Sequence, residues 1–169
     1  MDTKELAWKA QKGDHEAFGL LMENRKEAIY RVAYSYVKNR EDALDIVSEA
    51  VYKAFVSVRK LKNPDYFNTW FTRILINCAI NHLNKNKKLA SFHHTVEGEA
   101  GGGVSREEKI DLYSAIDSLD AGEKTIIILM YLEGFTLREI AELLECPLGT
   151  VKTRLNKALI SLRVKLQEV

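Results

Sequence analysis

The residues best suited to chemistry near the C-terminal end of the sequence recur on one side of a predicted helix. Five apolar residues at steps of three and four predict the buried side of that helix: Val151, Leu155, Ala158, Leu162 and Leu166. The outward side then carries cations, amides and a hydroxyl, namely Lys152, Thr153, Asn156 and Lys157, with Arg154 close to it. Such side chains pair with base edges and phosphates, so this side predicts a DNA contact. An exposed solubilising face is the alternative interpretation.

The segment that leads into this helix has the pattern of a helix-turn-helix. Residues 135–157 read FTLREIAELLECPLGTVKTRLNK, with a helix starting at Thr136, a break at Glu145-Cys146-Pro147, and a second helix. Thr136 and Glu139 have the spacing of a capping box. Glycine is common at such a turn, and a non-glycine residue in the left-handed conformation costs about 1–2 kcal/mol. We therefore expect Glu145 to make the turn tighter or less stable than usual.

A second group of polar residues follows a break at Asn63-Pro64-Asp65, where proline interrupts two long helical segments. Asn77 and Asn81 are four residues apart and share a helix face that can read base edges. Three cations, Lys85, Lys87 and Lys88, extend that face with phosphate contacts. Trp70 and Phe71 are in register with Ile74 and Leu75, which favours a place in the core.

A third group is acidic. Asp42, Asp45 and Glu49 recur at three- and four-residue steps on one helix face, where a cationic partner can bind. Beside it runs an apolar stripe that we expect to face the core: Leu44, Val47, Val51, Ala54 and Val58. An ordinary solvated face is one alternative. A carboxylate metal site is another, although no Glu-x-x-His pair completes one.

Composition limits the classes of protein. The chain has 169 residues, of which 46% are hydrophobic, and its apolar spacing is helical throughout, so we expect an all-α fold. It has no run of about 18 apolar residues, and its first residues are charged, which predicts a cytoplasmic protein. Cys78 and Cys146 stand far apart without a CxxC pattern and are expected to be small apolar residues. We find no catalytic constellation and expect no enzyme activity, cofactor, metal or small-molecule substrate.

Charge is sorted along the chain. Residues 41–58 carry a net charge of −3 and residues 59–88 a net charge of +6. Residues 106–145 carry −6 and residues 147–169 carry +4. This order is typical of a protein that meets a polyanion on one surface and a cationic partner on another, although solvated helix faces also produce it.

The clearest domain boundary is Leu89–Ser105, which lacks lysine and arginine and holds four of the nine glycines. It predicts a flexible linker between two small helical domains, residues 1–88 and 106–169. As a random coil, its 17 residues would span roughly 20–25 Å. His93 and His94 within it are expected to be solvated loop residues.

Three motifs together resemble a known family. The run Asp42-Ala-Leu-Asp-Ile-Val-Ser-Glu49, followed by Val51-Tyr-Lys-Ala-Phe55, is similar to sigma region 2.2. The run Phe67-Asn-Thr-Trp-Phe-Thr-Arg-Ile74, continuing to the lysines, is similar to regions 2.3 and 2.4, and residues 116–166 are similar to region 4. Their order and spacing resemble the small, two-domain extracytoplasmic-function (ECF) sigma factors of RNA polymerase.

The resemblance implies roles for named residues. Polymerase binding, through the clamp coiled coil of the largest subunit, is implied for Asp42, Asp45, Ile46 and Glu49. Capture of a flipped base of the −10 element is implied for the turn that holds Asn63, Asp65, Tyr66, Phe67 and Asn68, although Tyr66 or Phe67 can instead plug the turn onto the core. Reading of the −35 element is implied for Lys152, Thr153, Arg154, Asn156 and Lys157.

The family also implies a contact with the polymerase flap, and a cognate anti-sigma factor, commonly membrane-bound, in a stress or cell-envelope response. Such a factor would hold the chain at the inner face of the membrane. Two other classes remain as alternatives: a stand-alone regulator, which would bind duplex DNA unaided, and a helical metalloenzyme.

Overall fold

The computed structural model describes residues 2–92 and 112–167, and every regular element in these two ranges is helical. The chain divides into two compact units, Met1–Ile80 and Asn81–Val169. The prediction of an all-α fold with two helical domains is confirmed. No helix in the described ranges combines the length and the hydropathy that a membrane span requires.

The first unit contains three complete helices, two short 3₁₀ turns and the first part of a fourth helix that extends beyond Ile80: α1 (Thr3–Gln11), α2 (His15–Val37), α3 (Arg40–Ser57), the turns Val58–Lys60 and Pro64–Tyr66, and α4 (Phe67–Phe92). Side-chain caps start two of the helices, because Asp14 accepts from the Ala17 N–H at 3.0 Å and Asn39 from the Asp42 N–H at 2.8 Å. Helix α2 ends where Lys38 adopts a left-handed φ of 58°. These signals set both ends of α2 and the start of α3.

The core side of α3 differs from the predicted stripe. Its buried residues are Ala43, Ile46, Ala50 and Ala54. Of the predicted stripe, only Ala54 and Val58 are buried, whereas Val47 and Val51 are half-buried and Leu44 is 45% exposed. Small side chains let helices pack closely, which fits the burial of the alanine-rich side of α3 in the core of the unit.

Helix α4 continues four residues into the predicted linker, which was expected to begin at Leu89 but is helical as far as Phe92. Each added helical residue contributes one hydrogen bond, and leucine and alanine favour helix, so the helix continues beyond the last lysine. The rest of that linker, including His93 and His94, and residues 106–111 lie outside the described residues.

The second unit contains α5 (Leu112–Asp117), α6 (Ala121–Ile127), a π-helical turn (Ile128–Leu132), α7 (Leu137–Leu143) and α8 (Leu148–Gln167). Its core joins α5, α6 and α8 through Ala115, Ile116, Leu119, Ile127, Ala158 and Leu162. The predicted stripe of α8 is confirmed at Val151, Ala158 and Leu162, and Leu155 packs half-buried against it. Leu166, the last member of that stripe, is 42% exposed.

Candidate nucleic-acid interface

The helix-turn-helix has the predicted local geometry. The Glu139 N–H donates to Thr136 Oγ1 at 3.2 Å, and the Thr136 N–H donates to Glu139 Oε2 at 2.7 Å, so the predicted capping box is confirmed. Glu145 has a φ of 52°, the left-handed conformation expected for it. The Pro147 carbonyl then accepts from the Val151 N–H at 3.2 Å and starts α8.

The five predicted contacts on α8, Lys152, Thr153, Arg154, Asn156 and Lys157, are all exposed. Two of them have partners within the protein. Thr153 Oγ1 donates to the Gly149 carbonyl at 3.0 Å, and Lys157 Nζ lies 3.5 Å from Oε1 of Glu123, a buried carboxylate of α6. Lys157 is therefore partly neutralised, whereas Asn156 lies in a shallow groove beside Lys152 and Thr153.

The capture turn, which we define as Leu61–Asn68, divides its two aromatic rings between solvent and core. Asn63 Oδ1 accepts from the Asp65 N–H at 3.0 Å, and the Asn63 carbonyl accepts from the Tyr66 N–H at 3.1 Å. Tyr66 is 60% exposed, whereas Phe67 is 0% exposed. The assignment of Phe67 to DNA contact is thus corrected, because its ring plugs the turn onto the core.

Core packing around Phe67 also orients the next residue. The Phe67 ring lies 6.2 Å from the Phe71 ring and 5.7 Å from the half-buried Trp70 ring, centroid to centroid, and Phe71 is fully buried as predicted. Asn68 Oδ1 accepts from Arg25 Nη1 of α2 at 3.2 Å. Because Arg25 uses the amide oxygen, the Asn68 NH₂ group is the part oriented to donate to a ligand.

An exposed polar stripe follows on α4. Asn77, Asn81, Lys85 and Lys88 are all exposed, and at about 100° per residue they share one side of the helix. Lys87 is exposed on a different side, because it is one residue out of this register. Sequence reasoning missed Asn84, exposed within the stripe, and Arg73, exposed one turn before Asn77. Both residues could have been predicted from the sequence by applying the full helical period of 3.6 residues instead of the four-residue step alone.

The predicted polymerase contacts on α3 occupy different environments. Asp45 is exposed, whereas the Asp42 carboxylate accepts from Asn39 Nδ2 at 2.7 Å in the helix cap. Ile46 is 0% exposed, so its assignment to the interface is corrected, because the side chain lies in the core between α3 and its neighbours. Glu49 lies 2.6 Å from Lys53 Nζ one turn later.

Glu49 and Lys53 also affect a thiol of α4. The hydrogen bond to Glu49 raises the pKa of Lys53, against the desolvation that lowers it. Burial raises the pKa of the Cys78 thiol, and the charge of Glu49 raises it further. Glu49 is thus partly committed to contacts within the unit, and Asp45 is the acidic residue best placed to meet a partner.

An apolar groove between α2 and α3 was not anticipated. It has a volume of about 590 Å³ and is lined mainly by Phe18, Met22, Val47, Val51, Tyr52 and Phe55. Tyr52 is 67% exposed and Phe55 40% exposed, with its ring 5.4 Å from that of Phe18. Exposed apolar side chains in one groove indicate an interaction surface. The sequence contained part of this groove, because Val47 and Val51 belong to the stripe that was predicted to face the core.

In the described residues, no group of three His, Cys, Asp or Glu side chains is arranged to hold a metal ion. A helix-turn-helix with a cationic outward face, and a second helix with an asparagine and lysine stripe, define a helical DNA-binding protein. Two family models match the chain, "Sigma-70 region 2" over residues 21–89 and "Sigma-70, region 4" over residues 109–162.

Comparison with known proteins also finds sigma factors. The chain is 43% identical over 144 residues to the RNA polymerase sigma factor SigV of Bacillus subtilis, covering 85% of this chain and 87% of SigV. It is 30% identical over 185 residues to the ECF sigma factor SigW of Bacillus subtilis, covering 100% of this chain and 99% of SigW.

Two solved structures share the fold. CnrH in complex with the cytosolic domain of CnrY has a TM-score of 0.72 at 23% identity, covering 98% of this chain and 97% of CnrH. The sigma factor RpoE of Bartonella quintana, in complex with the anti-sigma factor NepR, has a TM-score of 0.73 at 22% identity, covering 90% of this chain and 97% of RpoE.

The chain belongs to the ECF group of the sigma-70 family of RNA polymerase sigma factors. It is therefore a non-enzymatic subunit that directs core RNA polymerase to promoters and acts on promoter DNA. The alternatives of a stand-alone regulator and a helical metalloenzyme are set aside by this membership.

Proposed function

We propose that residues 1–88 form the module that binds core polymerase and opens the −10 element, and that residues 106–169 form the module that reads the −35 element. Residues 89–105 connect them. The observation that carries the first assignment is the continuous exposed stripe of Asn77, Asn81 and Lys88, which begins two turns after the capture turn.

Promoter opening needs a sequence-specific step that lysines alone do not provide. Lys85, Lys87 and Lys88 attract phosphate, but a phosphate contact does not select a base. Extruding a base costs a few kcal/mol, and a pocket that hydrogen-bonds its edge offsets that cost only for the correct base. Tyr66 supplies an exposed ring, and Asn63, Asn68, Asn77 and Asn81 supply amide donors and acceptors.

The test compares closed and already opened promoters. Alanine at Tyr66, Asn77 or Asn81 should reduce permanganate-detected opening of duplex promoters, with smaller losses on templates mismatched at −10. Alanine at Asn24, an exposed asparagine of α2, is the matched control and should change neither. Equal losses on duplex and mismatched templates would show that the damage lies in polymerase binding or folding, and base capture would be the wrong role.

Polymerase binding is assigned to the exposed Asp45 with the apolar groove beside it. A carboxylate next to exposed aromatic and aliphatic side chains gives both charge complementarity and apolar area to a basic helical partner, here the clamp coiled coil of the largest subunit. Asp42 and Glu49 contribute to the acidic potential of α3, although both also bond within the unit.

The flap contact is assigned to an apolar cavity of about 560 Å³ on the second unit, lined in part by Ile127, Tyr131, Leu159 and Leu166.

Charge reversal tests the α3 assignment. Asp45→Lys together with Glu49→Lys should weaken binding to core polymerase while thermal unfolding of the chain changes little. Glu27→Lys, at an exposed position on α2, is the control for a nonspecific effect of charge. Unchanged core affinity in a folded double variant would remove Asp45 and Glu49 from the interface.

An anti-sigma factor is the proposed regulator. One similar fold was solved with an anti-sigma factor, NepR, and another with the cytosolic domain of CnrY. We assign this chain to the cytoplasm, held at the inner face of the membrane until a stress or cell-envelope signal releases it from a membrane-bound partner. Fractionation of tagged chain should find it with membranes before induction and in the soluble fraction afterwards. A soluble chain under both conditions would contradict the membrane-bound partner.

A further inference from the structure

Helix α1 contacts the capture turn and the 3₁₀ turn before it at three points. Gln11 Nε2 donates a hydrogen bond to the Leu61 carbonyl, at the first residue of the capture turn. Lys4 Nζ lies 2.8 Å from Asp65 Oδ1, in the middle of the turn. The Arg59 guanidinium covers Gly13, just after α1, so closely that a Cβ at Gly13 would stand 2.7 Å from Arg59 Nη2.

These contacts attach the capture turn to the rest of the unit, which the hydrogen bonds within the turn do not do. The bonds from Asp65 and Tyr66 to Asn63 are local and shape only a single 3₁₀ turn. Phe67 anchors the far end in the core. Gln11 fixes the near end and Lys4 the middle, so α1 attaches the half of the turn that Phe67 does not reach.

A base pocket must be organised before the base arrives, because ordering it during binding would subtract from the energy that offsets base extrusion. The charges around the capture turn give a second reason why α1 must hold it. Asp2, Glu5 and Asp65 line the cleft between α1 and the turn, together with Lys4. Lys4 is the cation that neutralises Asp65, and the hydrogen bond to Asp65 raises the pKa of Lys4, which favours its charged form. Without Lys4, the turn would present an unpaired carboxylate to a polyanion.

We propose that Lys4 and Gln11 are positioning residues for promoter opening, which hold the capture turn in the shape that receives a base. This inference rests on the proposed role of the turn. Neither residue needs to touch DNA, and their effect is transmitted through Asp65 and Leu61.

The experiment compares two charge reversals on the same helix in the assembled polymerase. Lys4→Glu breaks the pair with Asp65, whereas Lys9→Glu makes the same charge change at a lysine that pairs with Glu5 at 3.2 Å within α1. Lys4→Glu should lower permanganate-detected opening of a duplex promoter about three- to fivefold relative to Lys9→Glu, the range expected when one exposed ion pair becomes a repulsion. Opening of a template mismatched at −10, and core affinity, should match Lys9→Glu.

Two further variants separate positioning from folding. Lys4→Arg keeps a cation within reach of Asp65 and should restore duplex opening. Gln11→Met keeps the length of the side chain but removes the donor to Leu61, and should lower duplex opening without changing core affinity. Equal effects of Lys4→Glu and Lys9→Glu, or an equal loss on duplex and mismatched templates, would overturn the inference.

Tyr66→Ala, measured in the same series, distinguishes this inference from the function on which it rests. If Tyr66→Ala lowers duplex opening and Lys4→Glu does not, α1 has no positioning role and the capture turn keeps its function. If Tyr66→Ala leaves opening unchanged, the turn does not capture a base and both statements fail together.

Discussion

The two surfaces proposed to contact DNA differ in how neighbouring residues are divided between core and solvent. On α8, the five predicted contacts are exposed, and the buried residues Val151, Ala158 and Leu162 recur at helical spacing on the opposite side. In the capture turn, Tyr66 is 60% exposed and the next residue, Phe67, is 0% exposed. The exposed side of α8 can therefore be inferred from the spacing of its buried residues. The capture turn has no helical period, so its exposed residues cannot be inferred in this way.

The sharpest test of that contrast is a pair of alanine variants in the capture turn. Phe67→Ala should lower the free energy of unfolding by about 3–5 kcal/mol, because it removes a fully buried ring and leaves a cavity. Tyr66→Ala should change it by less than about 0.5 kcal/mol, since the side chain is largely solvated. Urea unfolding of the two variants measures both. Similar destabilisation by both would mean that Tyr66 also anchors the turn, and the division between core and DNA would be wrong.

Helix type and domain number could be predicted because periodicity and turn residues report them directly. The side of α3 that faces the core could not. Leu44, Val47 and Val51 are offset by one residue from Ala43, Ile46 and Ala50, and both sets have helical spacing. Hydrophobicity favours the bulkier set, but the buried side of α3 is the one with smaller side chains, which permit close helix packing. Such a choice depends on the partner helix, which the local sequence does not describe.

The candidate sites were predictable to different degrees for the same reason. On α8, all five predicted contacts are exposed, because the helix-turn-helix defines where the helix begins and which side is buried. On α4, Asn84 was missed and Lys87 was placed on the wrong side, because the position of the stripe around the helix depends on how α4 packs. The contact of Arg25 with Asn68 joins residues 43 positions apart, and no local pattern reveals it.

A variant of α8 should give the next largest effect. Asn156→Ala should relax preference at one position of the −35 element and cost about 1–3 kcal/mol on the preferred sequence, because an amide that pairs with a base edge is lost. Transcription from a library of −35 sequences by polymerase carrying the variant measures the change. Glu142→Ala, at an exposed position on α7, is the control and should leave the preference intact. An unchanged −35 preference in Asn156→Ala would place the reading surface elsewhere on the helix.

Two lysines on α8 allow a finer comparison. Lys152→Ala should reduce the salt dependence of promoter binding by about one unit, the effect of losing one phosphate contact. Lys157→Ala should reduce it by less, because Lys157 Nζ lies 3.5 Å from the Glu123 carboxylate, which already neutralises part of its charge. Binding titrations of assembled polymerase across a range of salt concentrations give both slopes. Equal slopes would show that Lys157 leaves Glu123 when it binds DNA.

The smallest expected effect concerns the turn of the helix-turn-helix, where the backbone rather than a side chain sets the cost. Glu145 has a φ of 52°, so Glu145→Gly should relieve left-handed backbone strain. Part of this gain is lost because glycine has greater freedom in the unfolded chain. We expect the free energy of unfolding to rise by about 0.5–1 kcal/mol. Gly134→Ala supplies the opposite case, because Gly134 has a φ of 72° and a Cβ there would meet no neighbouring atom, which leaves only the backbone penalty. That variant should lower stability by about 1 kcal/mol. Denaturant unfolding, with the m-value held constant, measures both changes. If Glu145→Gly lowered stability, the contacts of the glutamate side chain would outweigh the strain of its backbone, and this turn, like the capture turn, would depend on side chains that its sequence pattern does not reveal.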